Sequence, residues 1–151
     1  MNDGPRLLHE IVEQSAARAP DSTAFRCRDE SLSYSGLLTK SRQLAGLLID
    51  LGVKPGDRVG LFAGKTIELP VAVFGVLGAG AAYVPLDPTA PVSRIESLID
   101  DCGISVLISE PNRRRALQQM DGGPQVVIGL AEETDVPFRC ISWSSVFAGT
   151  D

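Results

Sequence analysis

The sequence predicts an α/β fold: a doubly wound, mainly parallel sheet with helices on both faces and a small N-terminal hairpin. Three observations predict it. Strand and helix patterns alternate through the middle of the chain. The central strand candidates, "RVGLFA" (58–63), "AAYVPL" (81–86) and "ISVLIS" (104–109), are nearly unbroken apolar runs, as strands covered on both faces are. The 151 residues, 44% hydrophobic and 22% charged, suit one domain with one sizeable core.

Each element has a local reason. Leu7, Leu8, Ile11, Val12 and Ala16 recur at helical spacing, and Pro20 follows the end of that first helix. "TAFRCRDESLSY" gives two short strands, 23–28 and 32–34, turned at Asp29-Glu30-Ser31. A helix capped by Ser35 follows, with Leu37, Leu38, Leu44, Leu47, Leu48 and Leu51 on one face and Gly52 as its stop. "VKPGD" is a turn. After the strand 58–63, a helix opening at Thr66 is apolar almost all round, the pattern of a helix buried between a sheet and other helices. After the strand 81–86, a helix has Pro91 in its first turn and Gly103 at its end. Strand 104–109, a short helix in "NRRRALQQM", strand 125–130, and a last short strand with one helical turn complete the chain.

Composition excludes several function classes. A net charge of −5, with Arg113–Arg115 as the one basic cluster, argues against a nucleic-acid partner; those arginines read as a solvated helix start. Cys27, Cys102 and Cys140 form no CxxC pair, which supports neither zinc nor a disulfide framework and suits a reducing cytoplasm. His9 has no second ligand nearby. Residues 69–86 carry no charge, but Pro70, Gly75, Gly78, Gly80 and Pro85 divide them into a helix and a strand, each too short to span a bilayer. No membrane partner is expected.

Catalytic motifs fail on spacing. "GLFAGKT" (60–66) follows a strand and opens a helix, but a Walker loop ending at Gly64-Lys65-Thr66 requires glycine at 59, where Val59 stands. The helix start after Gly64 retains only the general attraction of free N–H groups for anions. "GAGAAYVPLD" has its glycines between a helix and a strand, the reverse of a dinucleotide loop. There is no GxSxG elbow, and the adjacent Asp100 and Asp101 do not face each other on a helix. No catalytic, cofactor-binding or metal-binding residue is therefore assigned.

Four segments in order, "LSYSGL" (32–37), "GVKPGDRVGLF" (52–62), "VFGVLGAGAAYVPLDP" (73–88) and "PVSRIESLIDDCGISVLIS" (91–109), resemble the adenylate-forming ligases. That superfamily includes the adenylation domains of nonribosomal peptide synthetases, acyl-CoA synthetases and luciferases. "AYVPLDPTAP", with Arg94 after Pro91, looks most like the amino-acid-activating adenylation domains. The likeness runs from about Leu8 to Ser109 and is looser beyond Glu110. Gly36 replaces the family's usual acid, and Gly78 its usual lysine.

The resemblance implies that residues 1–151 are the N-terminal portion of an adenylation domain. ATP and a carboxylate would give an acyl-adenylate and pyrophosphate, and a phosphopantetheine or CoA thiol would then take the acyl group. The ATP-binding loop, the magnesium-binding motifs and the lysine of the small C-terminal domain are expected outside these residues, so no cofactor is expected on this chain and no activity from it alone. Leu32 and Tyr34 would anchor the hairpin to the next helix. Gly78 and Gly80 would turn the chain from helix to strand, with Tyr83, Val84 and Leu86 continuing a buried strand whose exit Pro85 and Pro88 fix. Asp87 would hydrogen-bond the start of the helix entered at Pro91, or pair with Arg94. The expected partner is the remainder of the domain or a complementary chain, with self-association through an exposed apolar face. A non-catalytic subunit that docks on a synthetase or carrier protein, and a small nucleotide-binding α/β protein, are the alternatives.

Overall fold

A computed structural model describes residues 4–148. The elements run α1 (Leu8–Arg18), β1 (Thr23–Cys27), β2 (Glu30–Ser33), α2 (Tyr34–Asp50), β3 (Arg58–Phe62), α3 (Glu68–Gly78) and β4 (Ala82–Pro85). They continue with α4 (Val92–Cys102), β5 (Val106–Ser109), a 3-10 turn (Pro111–Arg113), α5 (Arg114–Gln118), β6 (Val126–Ile128), β7 (Arg139–Ile141) and α6 (Trp143–Ala148). β1 and β2 form an antiparallel hairpin, and the other five strands form a parallel sheet in the order β4-β3-β5-β6-β7. The doubly wound sheet expected from the sequence is thus present.

The sheet divides the core in two because successive strand residues point to opposite faces. Val59 and Leu61, Val106 and Ile108, and Ile128 and Ile141 face α1, α2, α3 and α6. Phe62, Leu107, Val127 and Cys140 face the other way, toward Ile95 and Ile99 of α4 and Leu117 of α5. Gly60 makes room on that second side: a Cβ there would stand 2.7 Å from Leu107 Cδ1. On the first side α2 and α3 cross closely at Gly75, where a Cβ would be 2.6 Å from Leu44 Cδ2.

Several boundaries differ from the sequence reading. The hairpin turns on Arg28-Asp29, since Cys27 pairs with Glu30, and Arg28 takes the left-handed conformation with φ 54°. α2 is capped by Ser33, whose Oγ accepts the Gly36 N–H at 3.1 Å. Ser35 lies inside the helix because the N–H groups of Tyr34 and Ser35 donate to the carbonyls of Ser22 and Pro20. α3 begins at Glu68, two residues after Thr66, and the Thr66 carbonyl accepts from Leu69. Pro91 is the residue before α4 and lies outside its first turn, while Gly103 ends that helix at φ 62° as expected. The α1 stripe is only half used: Val12 and Ala16 are buried, but Leu7, Leu8 and Ile11 are exposed, because α2 and α3 meet α1 along one edge.

β4 is the main correction. It is the edge strand of the sheet, with Tyr83 38% exposed, because β5 returns on the far side of β3. Ala82 and Leu86 donate inward to Asp57 and Leu61. By alternation the nitrogen of Pro85 falls on the outward side, where a missing N–H costs no ladder bond. Leu86 alone of this segment's large side chains is fully buried, at 3%. Residues 69–86 resolve into α3 and β4, and no helix among the described residues is long and apolar enough to cross a membrane.

Candidate functional site

The chain leaves β3 for β4 on one side and then places β5 on the other, so the connections diverge at the carboxyl ends of β3 and β5. In an open α/β sheet this divergence leaves a crevice there. A cavity of about 240 Å³ occupies it, floored by Leu61, Leu69, Ala72 and Ile108 and rimmed by Thr66, Glu68, Ser109, Glu110 and Trp143. A second cleft of about 240 Å³ shares Thr66, Glu68 and Glu110 and reaches Arg28 and Lys65 under the hairpin turn.

Glu110 links the two loops that bound the crevice. Its Oε1 accepts from the Gly64 N–H at 2.8 Å, from Arg113 Nε at 3.1 Å and from Arg113 Nη2 at 2.9 Å. The Arg113 guanidinium lies 5.8 Å from the centre of the Phe62 ring, a cation–π contact at the strand end. Ser109 is buried and donates its hydroxyl to the Phe62 carbonyl at 3.0 Å, tying β5 to β3 where the strands stop. The far wall depends on Gly129, with φ 108°; a Cβ there would overlap the Ser109 carbonyl oxygen.

Trp143 reaches the crevice from α6. Glu132 holds the start of that helix, accepting from the Ser142 N–H at 3.0 Å, the Ser142 hydroxyl at 2.9 Å and the Ser145 hydroxyl at 2.6 Å. The Ser145 and Ser142 donors stabilise the carboxylate and hold its pKa down at about 2. Trp143 stacks on Phe147 at 5.5 Å, and the Lys40 ammonium sits 4.9 Å above the Phe147 ring, so α6 is pinned to α2. Burial, and after it the charge of Glu132, push the Cys140 thiol up. All three cysteines are free, and no group of three His, Cys, Asp or Glu among the described residues is placed to hold a metal.

The loop at 63–67 connects β3 to α3 beside the crevice. In a phosphate-binding loop the backbone N–H groups face the anion. Here a carboxylate already takes the Gly64 N–H, and Glu68 adds a second acid to the rim. Gly60 serves sheet packing, since a Cβ there would stand 2.7 Å from Leu107 and 3.4 Å from Ile104.

The residues singled out by motif stand elsewhere. Leu32 is buried against Gly36 at the hairpin–α2 junction, with Tyr34 half-buried beside it. Gly80, at φ 80°, makes the turn from α3 to β4, while Gly78 is simply the last residue of α3. Asp87 accepts from the Thr89 hydroxyl at 2.7 Å and its N–H at 2.9 Å, and these bonds lower its pKa. The acid therefore closes a turn before α4, and no ion pair among the described residues joins it to the exposed Arg94. Pro85, Leu86, Pro88 and Pro91 line the same connection, and none of these residues borders the crevice. Arg113, read from the sequence as part of a solvated helix start, is instead ion-paired to Glu110 beside Phe62, and Ser109, Glu110, Gly129, Glu132 and Trp143 escaped the sequence reading. Glu110 and Gly129 carry one local signal, a polar or glycine residue directly after an apolar strand.

The family model for AMP-binding enzymes matches residues 12–146. The chain belongs to the AMP-binding enzyme family. As a family member it is 43% identical over 114 residues to bacitracin synthase 3 of Bacillus licheniformis, a match covering 74% of this chain and 2% of that synthase. It is 41% identical over 123 residues to malpinin synthetase of Mortierella alpina, covering 82% of this chain and 2% of the relative. The chain thus spans a small part of the curated relatives it matches. Among solved structures, a nonribosomal peptide synthetase, FmoA3, in its alpha-methyl-L-serine-AMP bound form superposes with a TM-score of 0.73 at 32% identity. That superposition covers 88% of this chain and 15% of the other. A long-chain-fatty-acid CoA ligase structure from Rhodopseudomonas palustris, at 23% identity and TM-score 0.82, shares the fold. Within the AMP-binding enzyme family, the chain is thus similar to nonribosomal peptide synthetases.

Proposed function

We propose that residues 1–151 are the scaffold of an adenylation domain that activates an amino acid and hands it to a thiol. In the complete enzyme the substrate carboxylate oxygen attacks the α-phosphorus of ATP, pyrophosphate leaves, and an acyl-adenylate forms. A thiolate, on a phosphopantetheine arm or CoA, then attacks the acyl carbon and AMP leaves. ATP with magnesium belongs to that complete enzyme, which works in the cytoplasm. The reading is carried by the match over residues 12–146, together with the likeness to bacitracin synthase 3 at 43% identity and to a nonribosomal peptide synthetase structure at 32%.

The residues in hand do not perform this chemistry by themselves. Phosphoryl and adenylyl transfer need oriented donors and cations around the developing negative charge. The crevice instead presents Glu68 and Glu110, and the Gly64 N–H is already engaged. The proposed partner is the remainder of the adenylation domain. Without it, the chain self-associates through the apolar side chains it leaves in solvent, among them Leu8, Ile11 and Ile49.

ATP–pyrophosphate exchange tests the reading. Residues 1–151 alone should give no exchange with any carboxylic acid. The full-length synthetase that contains them should give exchange dependent on an amino acid and none with fatty or aryl acids. Exchange by the isolated residues, or a preference of the whole enzyme for a fatty acid, overturns it.

A further inference from the structure

We draw no further inference here: the strongest candidate, the cleft between the β1–β2 turn and the start of α3, where Arg28 and Lys65 stand among Glu30, Glu68 and Glu110, rests on a helix N-terminus with a rim of mixed charge and nothing in the structure that points to a ligand.

Discussion

Gly129 carries the tightest steric requirement in the crevice. Its φ of 108° disfavours any side chain, and a Cβ would overlap the Ser109 carbonyl oxygen. Gly129→Ala should therefore cost on the order of 3 kcal/mol of stability or more. A urea midpoint close to that of the parent chain would contradict this. Glu132 gives a pH signature. Its folded pKa, about 2, lies below the ordinary 4.5, so its contribution is fully present above pH 4.5 and is lost as pH falls toward 2. Thermal melts between pH 5 and 2 should show a smaller loss for Glu132→Gln than for the parent. Equal losses would mean that the serine donors do not set this acid's titration.

At the level of elements, two glycines of the α2–α3 pair should respond in opposite directions. Gly75 lets the helices approach, with Leu44 Cδ2 only 2.6 Å from where a Cβ would be. Gly75→Ala should destabilise by about 1–3 kcal/mol as the helices are forced apart. Gly46 lies exposed in the interior of α2, with nothing within 4 Å of its Cβ position. Gly46→Ala should stabilise by about 1 kcal/mol, the difference in helix propensity. Chemical denaturation of both variants checks the pair, and a loss of stability at both would show that Gly46 also serves packing. β4 makes a related point about edges. Pro85 was legible as a strand exit, but its value on an edge, where no ladder bond is lost, follows only from the strand order.

For the whole molecule, exposed Leu8, Ile11 and Ile49 lead to an expected concentration-dependent rise in sedimentation coefficient for residues 1–151 alone. A constant monomer value across a hundredfold concentration range would rule out the proposed self-association. The fold class was open to sequence reasoning because the parallel strands, buried on both faces, must be apolar along their length. Hence β3, β5 and β6 stood out, as did the turns at Gly52, Gly80 and Gly103, whose positive φ angles demand glycine. The helix starts were less legible, since Ser33 and Ser35 are equally good caps and the carbonyls of Ser22 and Pro20 decide between them. The order β4-β3-β5-β6-β7 and the crevice it opens were not legible at all. Glu110 meets Gly64 across 46 residues of chain, and no local periodicity encodes such a meeting. By itself the sequence determined the layered α/β class and the glycine-dependent turns, because these rest on local sterics and periodic burial, while the family entered through the resemblance of its motifs. Tertiary structure alone decided that β4 is an edge and that a carboxylate occupies the Gly64 amide, because each depends on which distant segments pack together.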